Sequence, residues 1–194
     1  MKNSFFALIS RMRYIARWGL MRNSLPENIQ EHSHMVAVIA HALAAIRRDV
    51  FGGTVDHNLV ATAALYHDAS EIFTGDLPSP IKYLNRDIRT AYGQVEQEAM
   101  DKLLRLLPNA LRGSYDPLLV NVDEDVRQLI KAADRLSAYI KCLEELRAGN
   151  DEFSAAKREI LRSIEANPLP ETAYFMEHFI PAFRLRLDEL DLSV

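Results

Sequence analysis

Four side chains that can bind a divalent cation interrupt apolar stretches of this sequence. They are His32, the adjacent pair His67 and Asp68, and Asp134. A buried carboxylate is unstable unless it is paired or bound to a metal, so two of them among apolar neighbours need a common positive charge. Two imidazoles and two carboxylates form a mixed nitrogen and oxygen set that suits a divalent transition-metal ion. We therefore predict that these four residues bind one divalent metal ion.

Each of these residues also has a structural explanation when it is taken singly. A lone histidine on an apolar helix face is usually a hydrogen-bonded core residue, and a lone aspartate in a helix is usually solvated or paired. Lys131 and Arg135 are such partners for Asp134 in the sequence. We favour the metal site because the four residues occur together.

The elements that must position these residues are helices. Apolar residues recur at helical spacing through most of the chain, and no alternating run of β-branched residues predicts a strand. We expect an all-α, single-domain helical bundle over residues 1–194. The candidate ligands fall on predicted helices 28–51, 56–74 and 123–146. Further helices are predicted over residues 87–107, 151–165 and 174–183, and two nearby prolines predict a rigid extended loop over residues 76–80.

Glu71 follows His67 by four positions and Asp68 by three, which places it on the same face of the predicted helix 56–74. We interpret it as the group that orients or deprotonates an attacking water. The structural alternative is a solvent-facing glutamate near the end of a helix.

Composition narrows the range of functions. The chain has 194 residues, of which 48% are hydrophobic and 26% charged, as in ordinary globular proteins. A formal charge of -4 disfavours polymeric nucleic acid and anionic membranes as partners, although the N-terminal segment is basic. The single cysteine, Cys142, excludes an internal disulfide, and we expect it to be buried. No apolar run is long enough to span a membrane, so we expect a cytoplasmic enzyme or regulator.

The order of His32, His67–Asp68 and Asp134 resembles the H…HD…D signature of the HD-domain metal-dependent phosphohydrolases. Other segments look like the bacterial 5'-deoxynucleotidases of this superfamily. They are Arg17–Trp18, Glu31–Ser33, Tyr66–Glu71, Thr74–Pro78 and Lys141–Leu146.

This resemblance implies the hydrolysis of deoxyribonucleoside 5'-monophosphates by a homodimer. It implies a divalent ion, with cobalt favoured and manganese or copper as alternatives. Because no histidine lies between His67 and Asp134, we expect one ion rather than two.

Roles for individual residues also follow from the resemblance. Arg17 would bind the 5'-phosphate, and Trp18 would pack where a ribose 2'-hydroxyl would otherwise sit. The residues alone would make this pair a surface arginine and a core anchor. The predicted catalytic residues are Glu71, Arg17 and Asp76. The predicted substrate contacts are Arg17, Trp18, His32, Asp68, Asp76, Leu77, Pro78, Ser79 and Asp134.

Two alternatives remain at this point. The first is an HD-type hydrolase of another phosphate ester, such as a deoxynucleoside triphosphate or a cyclic nucleotide, for which the chain has little room for an extra domain. The second is a non-catalytic nucleic-acid-binding helical protein that uses the basic N-terminal segment, and it predicts strongly salt-dependent binding without a metal.

Overall fold

The computed structural model describes residues 3–82 and 84–190, and within these ranges the regular structure is helical, as predicted. No helix in these ranges is both long enough and apolar enough to cross a membrane. The α-helices are α1 (Phe5–Ile9), α2 (Ile29–Asp49), α3 (His57–Ala64), α4 (Glu71–Thr74), α5 (Ser79–Lys82), α6 (Arg86–Arg105), α7 (Asn109–Leu119), α8 (Glu124–Arg147), α9 (Ser154–Glu165) and α10 (Pro170–His178).

Side-chain caps fix the starts of the three helices that surround the predicted ligands. Asn28 and Glu31 form a capping box at the start of α2. Asp56 and Asp123 accept hydrogen bonds from backbone N–H groups at the first turns of α3 and α8. Because the buried faces of α2, α3 and α8 share one hydrophobic core, these caps set the relative register of the helices that carry the site.

The segment containing His67 and Asp68 is not part of one continuous helix, so the predicted helix 56–74 is wrong in this detail. After Ala64 the chain makes successive turns with hydrogen bonds between residues three apart, such as Ala69 N–H to the Tyr66 carbonyl at 2.9 Å. Helix α4 then begins at Glu71. Neighbouring residues on a regular α-helix point about 100° apart, so these turns free the pair to face one centre.

A second hydrophobic cluster holds this turn in place. Ala69 is fully buried against Phe5 of α1 and Leu103 of α6. The small side chain next to Asp68 therefore anchors the irregular backbone in a core of its own.

Other boundaries also differ from the prediction. Helix α7 was not predicted, because Gly113 and Pro117 lie inside it and both residues lower helix propensity. The loop over residues 76–80 is not wholly extended, since Ser79 begins α5 and Pro80 occupies its first turn, where a missing N–H group is tolerated.

A short strap, defined as residues 15–28, connects the N-terminal turns to α2. Its ends are joined by an antiparallel bridge between Ala16 and Asn28, with the N–H of Arg17 donating to the carbonyl of Glu27 at 2.9 Å. This bridge holds residues 17 and 27 side by side.

Helix α8 anchors the middle of the strap through Glu145. The buried carboxylate accepts hydrogen bonds from the N–H groups of Ser24 at 2.8 Å and Leu25 at 3.2 Å. It also pairs with Lys141 and accepts a hydrogen bond from Asn150. Burial alone would raise the pKa of Glu145, but these donors outweigh it and hold the pKa below its ordinary value.

Replacing Glu145 with Gln tests this anchor through pH. Since the pKa is depressed in the folded state, the contribution of Glu145 to stability is full above its ordinary pKa of 4.5 and is lost as the pH falls below it. Glu145→Gln should lower the free energy of unfolding at pH 7 by about 2 kcal/mol, and this deficit should shrink on acidification. Urea denaturation between pH 7 and the acid range measures both.

Glu98→Gln, at an exposed position of α6, is the matched control and should change little at any pH. A deficit in Glu145→Gln that stays constant from neutral to acid pH would contradict the assignment.

Candidate active site

The four predicted ligands converge from three parts of the chain. Nε2 of His32, on α2, lies 3.1 Å from Oδ1 of Asp134, on α8, and 3.5 Å from Oδ2 of Asp68. Nε2 of His67 lies 3.1 Å from the same Asp68 oxygen. We call these four residues the His–Asp cluster. Within the described residues, Asp134 pairs with His32 and not with Lys131 or Arg135.

The cluster fits a divalent cation. Nε2 of His32 and Nε2 of His67 are buried without a hydrogen-bond partner, although carboxylate oxygens lie close to both. One ligand atom from each of His32, His67 and Asp68 lies within 4.8 Å of the others. Nitrogen and oxygen ligands about 2 Å from a common ion produce separations of this size.

Hydrogen bonds on the far side of each imidazole direct the Nε2 lone pairs into the cluster. Nδ1 of His67 lies 2.8 Å from the carbonyl of Ala64, and since a carbonyl only accepts, Nδ1 carries the hydrogen. Nδ1 of His32 lies 3.3 Å from the Ser137 hydroxyl. Metal-binding histidines are oriented in this way by a partner on the second nitrogen.

The charges of the cluster perturb its acids in opposite directions. Burial would raise the pKa of Asp68, but its interactions with His67, His32 and Arg17 hold it well below its usual range. Burial raises the pKa of Glu71 to about 9, and the negative charges of Asp68 and Asp76 add to that shift.

Glu71 is therefore a buried group and not the solvent-facing glutamate of the structural alternative. Only 6% of its surface is exposed, and its Oε2 atom has no hydrogen-bond partner. It begins α4, so it reaches the cluster from a separate helix and not from one continuous helical face.

Arg17 lies at the edge of the cluster. Its side chain is only 12% exposed, with Nη1 3.5 Å from Oδ2 of Asp68 and Nε 3.1 Å from Oε2 of Glu27. Burial would lower its pKa, but the carboxylates of Asp134, Asp68 and Glu27 raise it. The guanidinium is a permanent positive charge inside the site, and not a surface group.

Trp18 has a backbone conformation that is rare for a bulky residue, with φ of 60°. Its N–H donates to Oδ2 of Asp76 at 3.3 Å, and its indole N–H donates to Oε2 of Glu27 at 2.9 Å. Its carbonyl accepts from the N–H of Met21 at 2.9 Å, and its ring packs on Phe153. Such conformations cost of order 1–3 kcal/mol and cluster at functional sites.

The loop after α4 contacts the strap through Asp76. Gly75, with φ of 71°, ends α4 in the left-handed region that favours glycine and turns the chain into Asp76. Asp76 then contacts the backbone of Trp18. Leu77 and Pro78 are half-buried and Ser79 is exposed. Their contact with a substrate stays a prediction.

Two residues of the site were missed from the sequence. Ser137 follows Asp134 by three positions on α8, so helical spacing could have identified it. Glu27 lies in the strap and forms no motif with Arg17 and Trp18, so no sequence signal marked it. Cys142 is buried as predicted, and burial raises the pKa of its thiol to about 12.

Solved structures with this fold define the class. An HD-domain phosphohydrolase from Listeria innocua superposes with a TM-score of 0.79 at 24% identity, covering 93% of this chain and 88% of that one. The cyanophage S-2L HD phosphohydrolase DatZ, bound to dA and one catalytic Zn²⁺ ion, superposes with a TM-score of 0.62 at 21% identity, covering 88% of this chain and 93% of that one. The fold is that of the HD-domain phosphohydrolases, as the sequence predicted.

The family within this class follows from sequence similarity. The model of the YfbR-like 5'-deoxynucleotidase family matches residues 4–183. The 5'-deoxynucleotidase YfbR of Shigella boydii is 50% identical over 193 residues, which are 98% of this chain and 97% of that protein. The chain belongs to the YfbR-like 5'-deoxynucleotidase family.

Metal binding by the cluster can be measured without a substrate. Cobalt or manganese added to chelator-treated protein should raise its stability, by about 2.7 kcal/mol at a hundredfold excess over the dissociation constant. His67→Ala should abolish this gain, because it removes one buried lone pair. Thermal unfolding with and without the ion measures it.

His34→Ala is the control, since His34 is an exposed histidine on the same helix as His32. Equal stabilisation of His67→Ala and the wild type would exclude the cluster as the binding site.

Proposed function

We propose that this chain hydrolyses deoxyribonucleoside 5'-monophosphates to deoxynucleosides and inorganic phosphate. The observation that carries the proposal is the position of Arg17, a buried guanidinium 3.5 Å from Asp68, directly beside the two unpartnered histidine nitrogens. A permanent cation next to a candidate metal site provides two positive centres for one phosphate group. The name of the Shigella boydii relative, a 5'-deoxynucleotidase, supports the same activity.

His32, His67, Asp68 and Asp134 are proposed to hold one divalent ion. When bound, the ion would polarise water and the phosphoryl oxygens and would offset the negative charge that raises the pKa of Glu71. The ligand set does not choose among transition metals, so cobalt, with manganese or copper as alternatives, is proposed from the family resemblance.

Arg17 is proposed to bind the 5'-phosphate. Its planar guanidinium offers several donors, and the long contact to Asp68 leaves Nη1 able to turn to a phosphate oxygen.

Glu71 is proposed to orient the attacking water and to accept its proton. The unpartnered Oε2 atom is available for a water, and burial keeps other solvent away. Because burial and the charges of Asp68 and Asp76 raise its pKa, the carboxyl needs nearby positive charge to ionise and serve as a base. Asp76 is proposed to assist by holding the backbone of Trp18.

Trp18 is proposed to select the deoxyribose. A ribose 2'-hydroxyl packed against the indole face would be buried without a hydrogen-bond partner, which is unfavourable. Leu77, Pro78 and Ser79 are proposed to line the rest of the nucleotide site, at the start of α5.

Phosphate release from paired deoxy- and ribonucleotides tests the activity. Wild-type protein with added cobalt or manganese should hydrolyse dAMP in preference to AMP, and Glu71→Gln should lose about a hundredfold or more in kcat because it cannot accept a proton. Glu98→Gln should match the wild type. Absence of turnover with every divalent ion tested would refute the proposal.

We further propose that residues 1–194 form one domain that acts as a homodimer in the cytoplasm, which the family resemblance favours. Light scattering on purified protein should give a mass near twice the 22.1 kDa of the chain. A mass equal to that of one chain would contradict the dimer.

A further inference from the structure

One carboxylate oxygen joins the two strap side chains that are proposed to contact the nucleotide. Oε2 of Glu27 accepts hydrogen bonds from Nε of Arg17 at 3.1 Å and from Nε1 of Trp18 at 2.9 Å. The backbone bridge of the strap places Glu27 directly opposite Arg17. The contact therefore fixes the guanidinium relative to the indole ring.

The two donors depend on Glu27 to different degrees. Arg17 keeps a second contact, to Asp68, and is further held by the charge of Asp134. For the indole N–H of Trp18, Glu27 is the hydrogen-bond partner found among residues 3–82 and 84–190. Without the carboxylate, the ring would be held by packing on Phe153, at 5.3 Å between centroids, by the Arg17 guanidinium 6.0 Å from the ring centre, and by its strained backbone. Loss of Glu27 thus frees the indole more than the guanidinium.

The contact lies in surroundings that make it strong. The Glu27 side chain is 17% exposed, so water competes weakly for its oxygen. A hydrogen bond to an ionised acceptor in a partly buried site is stronger than one between neutral groups.

We propose that Glu27 is a positioning residue that determines sugar specificity. It holds the indole of Trp18 beside Arg17, so that a 2'-hydroxyl meets a fixed apolar wall. This inference rests on the proposed hydrolysis of deoxyribonucleoside 5'-monophosphates. The inference separates sugar selectivity from turnover, because the His–Asp cluster and Glu71 stay in place when the indole of Trp18 becomes mobile.

Glu27→Ala with dAMP and AMP as paired substrates tests the inference. The ratio of kcat/KM for dAMP over AMP should fall about tenfold, which corresponds to losing one hydrogen bond to a charged group. The kcat for dAMP should fall by less than about threefold, because the charges of Asp134 and Asp68 still hold the guanidinium at the site. Glu27→Gln retains an acceptor oxygen and should restore most of the selectivity.

Fluorescence reports on the indole independently of turnover, because Trp18 is the single tryptophan of the sequence. In Glu27→Ala its emission should shift to longer wavelength and become more accessible to acrylamide, whereas Glu27→Gln and the exposed control Glu98→Ala should resemble the wild type. Glu27→Leu, which fills similar space without an acceptor, should behave as Glu27→Ala does and serves if the alanine variant does not fold.

The outcomes separate this inference from the proposed function. A selective wild type and an equally selective Glu27→Ala would overturn the role of Glu27 alone, and so would a loosened indole with unchanged selectivity. A wild type that releases no phosphate would refute the proposed function. The ratio of dAMP to AMP affinity, from quenching of Trp18, would then decide: a lower ratio in Glu27→Ala supports the role of Glu27, and an unchanged ratio, or no binding of either nucleotide, overturns it.

Discussion

Two imidazole nitrogens that face two carboxylates form an arrangement that a bound cation would stabilise, and the surrounding structure holds it in place. The nitrogens of His32 and His67 are held from behind by Ser137 and Ala64, so they cannot rotate away to find other partners. Burial strengthens every electrostatic interaction in the cluster. Burial raises the pKa of Glu71, whereas the neighbouring carboxylates raise the pKa of Arg17 against the effect of burial.

The helices form a rigid frame, and the irregular turns between α3 and α4 orient the side chains of His67 and Asp68 toward the cluster. Helices α2 and α8 supply one ligand each from capped, well-packed elements, whereas His67 and Asp68 come from irregular turns. An irregular backbone is stable there because Ala69 is buried in a second core. Pairing of a rigid frame with a short irregular segment lets adjacent residues in the sequence face the same point in space.

Sequence patterns predicted the elements that depend on local physics. The capping box at Asn28 and the stripe of α2 follow from side-chain spacing, and the order of the four ligands indicated the class of protein. The break after Ala64 could not be predicted, because His67–Glu71 also fits one helical face and only packing of Ala69 decides between the two. Helix α7 was missed because tertiary contacts override the low propensity of Gly113 and Pro117. No sequence pattern identified Glu27, because its contacts with Arg17 and Trp18 depend on the bridge between Ala16 and Asn28.

The strap and the His–Asp cluster are attached to the frame at different places. Asp134 and Glu145 both lie on α8, about 16 Å apart along its axis, and only the second holds the strap. Changes in residues 19–24 can therefore alter the position of the Trp18 indole while the His–Asp cluster keeps its geometry. Two separate attachment points on one helix thus let the strap vary in sequence without disturbing the fold of the cluster.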